Sequence, residues 1–219
     1  MATTRTQHMA EMDADEGANG AASPLRTGRA GGDDTAGGDA DSRDTAASQA
    51  ASQAAFRAVL GRFATGVTVV TTSQEGQPVG ITVNAFASLS LDPPLVLACI
   101  DRSSYVHDLL QRTGVFAANI LAEDQLRLSN CFARRSEERL KGFCGATWHT
   151  AATGAPILDG VVGFVDCRVV GVYPGGDHSI FVGQVEALGG TDETPLLYYR
   201  AKYTHMETDL DVNVGANPA

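Results

Sequence analysis

Apolar positions become regular only from Phe56 onward. In QAAFRAVLGRF, the residues Phe56, Val59, Leu60 and Phe63 recur at helical spacing, which predicts a short amphipathic helix. The run GVTVVTTSQEGQPVGITVNAF then places two β-branched stretches on either side of a turn, the pattern of a β-hairpin. The folded domain is therefore expected to open with a helix and a hairpin.

Apolar runs and turn residues alternate through the rest of the domain. SLSLDPPLVLACI ends in a wholly apolar strand, typical of burial on both faces. SSYVHDLLQR is expected to form a helix capped by Ser103 or Ser104, followed by a strand in GVFAANIL. AEDQLRLSNCFARRSEERLKGF predicts the longest helix, with Leu126, Cys131 or Phe132, and Leu140 buried. Two strands joined at PGGDH and a short strand in PLLYYRAKY complete the domain.

These elements favour a mainly β fold, because strands arranged as hairpins with few helices are typical of an antiparallel barrel. The domain is expected to cover residues 56–205. Residues 1–55 contain no aromatic side chain and are dominated by Ala, Gly, Asp, Ser and Thr, so this segment is expected to be a disordered tail. Residues 206–219 are expected to form a polar, acidic tail.

Charge and hydropathy exclude several classes of protein. The formal net charge is −10, which disfavours nucleic-acid binding because phosphate contacts need a Lys/Arg surface. No apolar run approaches the length that spans a bilayer, and no signal-peptide pattern precedes the domain. We therefore expect a soluble protein of the cytoplasm without membrane partners.

The four cysteines show no CxxC spacing. A zinc site of Cys131, Cys144 and His149 is one interpretation, but such loose spacing favours free thiols, so no metal is expected. Cys99, Cys131, Cys144 and Cys167 are interpreted as small core residues in a reducing compartment.

Four motifs, in order, resemble one family. FATGVTVVTT, GITVNAFASLSLDPPLVLACIDRSS, FAANIL and GGDHSIFVGQVEAL are similar to the flavin reductase-like family of FMN-binding split barrels, the NAD(P)H:flavin reductase components of two-component monooxygenases. The resemblance runs from about Phe56 to Tyr203. It implies a Greek-key split β-barrel with a few peripheral helices, a homodimer, and a flavin bound near the dimer interface.

The resemblance also implies which residues contact FMN or FAD. On the residues alone, ATGVTVV is typical of a plain strand start. The polar row in GITVNAFAS is typical of a solvated strand face, and DRSS is typical of a helix cap. A flavin needs a polar cradle and an apolar slot, which these segments supply. The residues so implied are Thr65, Gly66, Val67, Thr68, Thr82, Val83, Asn84, Ala85, Ser88, Arg102 and Ser103.

His178 follows Asp177 in a Gly-rich turn and admits several roles. A metal-binding role for His178 would need companion ligands, which the sequence does not offer. A role in activating a nucleophile would need a Ser or Cys on a strained elbow, which is also missing. A plain turn residue remains an alternative. The resemblance implies that Asp177 and His178 bind or orient NADH or NADPH. No acid or base catalyst is required, because the two cofactors carry the chemistry.

The hypothesis from sequence is therefore an NAD(P)H-dependent enzyme that reduces FMN or FAD and supplies diffusible reduced flavin to a partner oxygenase. Two alternatives share the fold: a flavin carrier without reductase activity, and an FMN-dependent reductase of a non-flavin acceptor. Trp148 with His149 is interpreted as packing. The basic residues Arg134, Arg135, Arg139 and Lys141 are interpreted as a solvated helix face.

Overall fold

The computed structural model of the chain describes residues 38–134 and 137–206, which contain four α-helices and many strands. The elements are α1 (Gly38–Leu60), β1 (Thr65–Gly66), β2 (Thr68–Gln74), β3 (Gln77–Val83), β4 (Phe86–Leu91), β5 (Pro94–Asp101), α2 (Tyr105–Thr113), β6 (Val115–Ile120), a 3-10 turn (Glu123–Gln125), α3 (Leu126–Ala133), α4 (Glu137–Gly142), a second 3-10 turn (Phe143–Gly145), β7 (Trp148–Thr150), β8 (Pro156–Leu158), β9 (Gly163–Gly175), β10 (His178–Gly190), β11 (Leu197–Tyr199) and β12 (Lys202–Thr204).

Seven strands form one antiparallel sheet in the order β3-β2-β6-β9-β10-β5-β4. The hairpin β2–β3 closes at the pair Gln74 and Gln77, and β9–β10 closes at the pair Gly175 and His178. Both hairpins confirm the turns predicted from TTSQEGQP and PGGDH. Helix α2 begins after Ser104, whose hydroxyl accepts a hydrogen bond from the Val106 N–H at 3.3 Å, so the predicted Ser cap is confirmed.

The sheet curls until its two ends share a core. Val79 and Val83 from the β3 end pack in the same buried cluster as Ala98 and Ile100 from β5, with Phe86 of β4 against it. Such closure relieves the problem of exposed sheet edges and defines an antiparallel split barrel. The mainly β fold class predicted from the sequence is confirmed.

A second, three-stranded sheet lies in the order β1-β11-β12. Here Thr65 pairs with Tyr198 and Gly66 with Leu197, so the first strand of the domain is held by one of the last. The pairing of Tyr198 with Tyr203 then joins β11 to β12. This small sheet brings the ATG segment and the final tyrosines to one place.

Helix α1 corrects the expected start of the ordered chain. It begins at Gly38 and therefore covers residues 38–55, which were predicted to be disordered. The sequence SRDTAASQAASQAAFRAVL explains the difference, because alanine has the highest helix propensity and loses no side-chain entropy in a helix. The rest of that predicted tail, residues 1–37, lies outside the described residues, as does nearly all of the predicted tail 206–219.

The long helix predicted between residues 122 and 143 is broken. Its backbone becomes extended at Arg134, with φ −105° and ψ 148°, and α4 follows as a separate helix. A straight helix would hold Cys131 and Cys144 about 20 Å apart, whereas their Cα atoms lie 6.0 Å apart and their sulfur atoms are bonded. Phe132 is buried as predicted, but Leu126 is 40% exposed.

The bond between Cys131 and Cys144 corrects the interpretation of these residues as free thiols. The spacing of 13 positions carried no signature of a disulfide, because only the break after α3 brings the two side chains together. Cys99 and Cys167 are free, as predicted. In the described residues, no group of three or more His, Cys, Asp or Glu side chains is placed to hold a metal ion, and no helix has the length and apolarity to span a membrane.

Candidate functional site

Two adjoining grooves run along β3. The first, here called the tyrosine groove, has a volume of about 170 Å³ and is lined by Val67, Thr82, Asn84, Ala133, Tyr198 and Tyr203. The second, here called the arginine groove, has a volume of about 400 Å³ and is lined by Ile81, Asp101, Ser103, Ser104, Ala133 and Arg139. Ala133 belongs to both linings, so the two grooves meet at the end of α3.

Hydrogen bonds fix the wall of the tyrosine groove. The Thr82 hydroxyl donates to the Ser129 carbonyl at 2.7 Å, and the Ser129 hydroxyl lies 2.9 Å from the Tyr203 hydroxyl. The ring of Tyr203 contacts the ring of Tyr198 edge to face, with centroids 5.3 Å apart. The groove therefore presents two oriented aromatic rings and a row of polar atoms, which suits a planar ligand with hydrogen-bonding edges.

Thr65 and Gly66 lie beside this groove, because β1 pairs with β11 at Tyr198 and Leu197. The Thr65 hydroxyl is buried and has no hydrogen-bond partner among the described residues. Such an orphaned group costs about 1–3 kcal/mol unless a ligand or water satisfies it. A Cβ placed on Gly66 would meet no atom within 4 Å, so the glycine leaves open space at the same place.

Arg139 is the cationic residue of the arginine groove, whose lining also includes the anionic Asp101. Its side chain is only 4% exposed, and its Nη1 donates to the carbonyls of Phe132 and Arg134, each at 3.2 Å. On the opposite side, the Asp101 carboxylate accepts a hydrogen bond from the Ser103 N–H at 2.7 Å. The interpretation of Arg139 as part of a solvated helix face is therefore wrong, since the break after α3 turns this guanidinium inward.

Asp177 and His178 lie at the Asp101 side of the arginine groove, because His178 pairs with Asp101 across β10 and β5. The His178 Nδ1 lies 2.7 Å from the Asp177 carboxylate, in a pair whose imidazole is 41% exposed. The hydrogen bond from His178, and secondly its charge, lower the pKa of Asp177, whereas the nearby Asp101 carboxylate acts in the opposite direction. The pair is an accessible, oriented imidazole beside the groove.

Several residues implied by the resemblance make hydrogen bonds or core contacts within the protein. The buried Thr68 hydroxyl donates to the Val83 carbonyl at 2.6 Å, and the Ala85 carbonyl accepts from the Cys99 N–H at 2.9 Å. Val83 is part of the core.

Two others are exposed. Ser88 lies opposite Val96 on the sheet, and Arg102 contributes its backbone N–H to the Asp177 carbonyl at 3.0 Å. Of the implied residues, Val67, Thr82, Asn84 and Ser103 line the two grooves, and Thr65 and Gly66 adjoin them.

The flavin reductase like domain model matches residues 60–207 of the chain. The chain belongs to this flavin reductase family. Over 158 residues, 72% of the chain, it is 42% identical to the reductase subunit HsaB of a flavin-dependent monooxygenase from Rhodococcus jostii, of which the match covers 80%.

Solved structures of the family share the fold. Component B of nitrilotriacetate monooxygenase from Mycobacterium thermoresistibile is 41% identical and superposes with a TM-score of 0.70, over 78% of this chain and 93% of that chain. The NADH:FAD oxidoreductase SgcE6 of Streptomyces globisporus, solved with NAD and FAD fragments, is 33% identical. It superposes with a TM-score of 0.68 over 73% of this chain and 95% of that chain.

The residues of this flavin reductase-family chain fit a flavin. The Thr65 hydroxyl is a buried donor without an acceptor among the described residues, the space at Gly66 admits close approach, and the tyrosine pair forms an aromatic wall of the groove. In the adjoining groove, Arg139 is the cationic side chain that would contact a phosphate, beside the Asp101 carboxylate. Sequence reasoning missed Tyr198, Tyr203 and Arg139, because only the folded chain brings them to β3.

Proposed function

We propose that this protein transfers a hydride from NADH or NADPH to FMN or FAD and releases the reduced flavin to a separate oxygenase. The observation that carries the proposal is the pair of grooves along β3, with the orphaned Thr65 hydroxyl beside one and the buried Arg139 in the other. Family membership supports the reductase activity. The names of two relatives support the oxygenase partner, since each is a component of a monooxygenase.

The chain's own residues would bind and orient the two cofactors, and the flavin would supply the acceptor for the hydride. Tyr198 and Tyr203 cover one side of the tyrosine groove and exclude water from it. The Thr65 hydroxyl and Asn84 donate hydrogen bonds to the polar edge of the ligand. Arg139 balances the charge of the phosphate in the adjoining groove.

Asp177 and His178 hold the nicotinamide in this proposal. The Asp177 carboxylate accepts the Nδ1–H of His178, so it fixes the plane of the imidazole and leaves Nε2 toward the ligand. A hydride transfer needs close contact geometry more than it needs a proton donor, so orientation is the useful contribution of the pair. Its position opposite Asp101 places it at the groove that carries Arg139.

We also propose that the protein is a homodimer. Large apolar side chains are exposed on three strands of the same sheet, among them Leu91 of β4, Val170 of β9 and Leu188 of β10. Exposed apolar side chains of this size are typical of interfaces between subunits. Light scattering coupled to size exclusion should give twice the mass of the chain, and Leu91→Asp with Leu188→Asp should give the mass of one chain.

A cytoplasmic location belongs to the same proposal, because a reductase of this type needs a renewed supply of reduced nicotinamide nucleotide. The free thiols Cys99 and Cys167 agree with a reducing compartment. The Cys131–Cys144 disulfide does not, because the thiol pools of such a compartment favour its reduction. Cell fractionation with activity assays on each fraction checks the location.

Anaerobic stopped-flow spectroscopy tests the proposed activity. Wild-type protein with FMN or FAD is mixed with NADH or NADPH, and bleaching of the flavin absorbance is followed. Fast bleaching is expected for the wild type, and His178→Ala should slow it while leaving the dissociation constant of the flavin unchanged. His149→Ala is the matched control. The His149 Nδ1 also lies 2.9 Å from an aspartate carboxylate, that of Asp159, but His149 belongs to β7 and does not line the two grooves.

Two results would overturn the proposal. An absence of bleaching with every flavin and nicotinamide pair would leave a flavin carrier as the better account. Bleaching of a flavin that stays bound in stoichiometric amount, and is reoxidised only by an added non-flavin acceptor, would indicate a reductase of that acceptor.

A further inference from the structure

The Cys131–Cys144 disulfide closes the segment of chain that carries Arg139. Cys131 lies in the last turn of α3, two positions before Ala133, which lines both grooves. Cys144 lies in the 3-10 turn after α4 and is fully buried, whereas Cys131 is half-buried. The bond therefore cross-links the two ends of the segment that supplies the cation of the arginine groove.

The position of the Arg139 guanidinium depends on how these two ends are held. Its Nη1 donates to the carbonyls of Phe132 and Arg134, which follow Cys131 directly, and Arg139 itself lies five positions before Cys144. Because the backbone is extended at Arg134, no continuous helix fixes α4 relative to α3. The disulfide is the cross-link that keeps donor and acceptors together.

The turn that carries Cys144 has a disfavoured backbone. Phe143, Cys144 and Gly145 have φ values of 45°, 57° and 63°, and residues with a Cβ rarely adopt this left-handed region. Such a conformation persists only where the surroundings impose it. The bond to Cys131 is one such constraint, and the hydrogen bond from the Arg127 Nη2 to the Cys144 carbonyl, at 3.0 Å, is another. Cleavage of the disulfide would allow the turn to relax.

Helix α3 has anchors that do not involve sulfur. The Phe132 ring packs on β3 so closely that a Cβ on Gly80 would lie 2.9 Å from it. The Ser129 hydroxyl lies 2.9 Å from the Tyr203 hydroxyl in the wall of the tyrosine groove. Loss of the disulfide should therefore loosen Arg139 and leave the tyrosine groove in place.

Reduction of the bond is a balanced two-electron step. A thiolate of an external dithiol attacks Sγ of Cys131, the less buried residue of the pair, and the Cys144 thiolate leaves. The second thiol of the same reductant then displaces Cys131. The reductant becomes a disulfide, and the protein takes up two electrons and two protons as two thiols. In a reducing compartment, as proposed above, such a bond is typically transient or redox-sensing.

We propose that the Cys131–Cys144 bond is a redox switch that sets the affinity of the arginine groove for the flavin phosphate, and that a dithiol is its reductant. The oxidised protein holds Arg139 in place and retains the flavin. The reduced protein loosens Arg139 and binds the phosphate weakly, so it releases the flavin. This inference rests on the proposed function, which assigns the flavin to the two grooves.

Titrations with two flavins test the switch. Fluorescence quenching gives the dissociation constants of FMN and of riboflavin, which has the same ring and ribityl chain but no phosphate, for the oxidised protein and for protein reduced with dithiothreitol. Reduction should weaken FMN binding on the order of tenfold, as expected for loss of one hydrogen bond from a charged donor. Riboflavin binding should be unchanged. Thiol titration verifies the redox state of each sample.

Three variants assign the effect to its residues. Cys131→Ser/Cys144→Ser should bind FMN like the reduced wild type, with or without dithiothreitol. Arg139→Gln should bind FMN weakly in both redox states, because the cation is missing. Lys141→Gln is the matched control, since Lys141 also belongs to α4 but does not line the arginine groove, and it should keep the full redox response.

Equal FMN affinities of oxidised and reduced wild type would overturn the proposal. An equal loss of riboflavin affinity would also overturn it, because that result would indicate a general loosening of the site, and so would an Arg139→Gln protein that still responds to dithiothreitol. Failure of the reductase function is a separate result: neither redox state would reduce FMN with NADH. The affinities are measured without NADH, so the two failures are distinguishable.

Discussion

The imidazole Nε2 of His107 lies 2.9 Å from the hydroxyl of Ser179, and this bond joins α2 to the strand that begins with His178. Both residues are buried, and the His107 ring also contacts Phe181 edge to face at 5.4 Å. The other ring nitrogen lies 3.0 Å from the exposed Asp108 carboxylate. The position of His178 therefore depends on a polar contact inside the protein.

Ser179→Ala should raise KM for NADH more than it lowers kcat. Loss of the hydroxyl leaves the His107 nitrogen buried without its partner, which costs about 1–3 kcal/mol of the free energy of unfolding and loosens the start of β10. Denaturant titration and steady-state kinetics measure the two effects. Asp108→Ala removes the exposed partner and should cost less than about 1 kcal/mol. Equal effects of both variants on KM would contradict the argument.

The Cys131–Cys144 bond predicts a specific thiol count. Denatured, unreduced protein should show two reactive thiols for each chain and reduced protein four, since four cysteines are present and two are paired. Closing a loop of this length stabilises the fold by roughly 3 kcal/mol in the chain-entropy model. Reductant should therefore lower the denaturant midpoint of the wild type and leave that of Cys131→Ser/Cys144→Ser unchanged. Four thiols before reduction would disprove the bond.

Replacement by alanine should change the stability of the fold at one glycine and leave it nearly unchanged at another. A Cβ on Gly183 would lie 2.5 Å from the Phe116 ring and 2.8 Å from the Cys167 Cβ, so Gly183→Ala should destabilise the fold by roughly 1–3 kcal/mol. A Cβ on Gly66 meets nothing within 4 Å, so Gly66→Ala should leave stability nearly unchanged but weaken flavin binding. Unfolding curves and flavin fluorescence quenching measure both variants.

Alkaline pH should destabilise the protein through Cys167. Burial, and secondly the charges of Asp166 and Glu186, raise the pKa of this thiol to about 12. Because the folded pKa lies above the unfolded value of about 8.5, the unfolded state loses its proton first. The stabilisation is complete below that value and is lost as pH rises toward 12, by at most about 1.4 kcal/mol per pH unit. The free energy of unfolding, measured by denaturant titration between those pH limits, should fall more steeply with pH for the wild type than for Cys167→Ala.

The strands β2, β3, β5, β6, β9 and β10 were predictable because their signals are local, whereas β4, β7 and β8 were not predicted. The β-branched runs and turn residues around Glu75 and Asp177 specify each hairpin within about twenty residues, and the structure reproduces both. The Ser104 cap is equally local. The resemblance to the family, not the local pattern, led to Thr82, Asn84 and Ser103, which line the grooves.

The rest of the site was hidden because distant segments create it. Ser129 and Tyr203 are 74 positions apart and meet only in the fold. Arg139 was misassigned because its helix pattern suggested solvent, whereas the disulfide and the contact between Phe132 and Phe143, with centroids 5.0 Å apart, fold the segment back. Tertiary contacts here override helix propensity.

The pairing of Thr65 with Tyr198 has a consequence for how the site comes into being. The tyrosine groove lies where the two ends of the domain meet, so neither a nascent chain that lacks its last hairpin nor a protein with a frayed first strand has the complete groove. A flavin bound in this groove, as proposed above, would bind only the closed domain and would therefore stabilise the contact between its two ends.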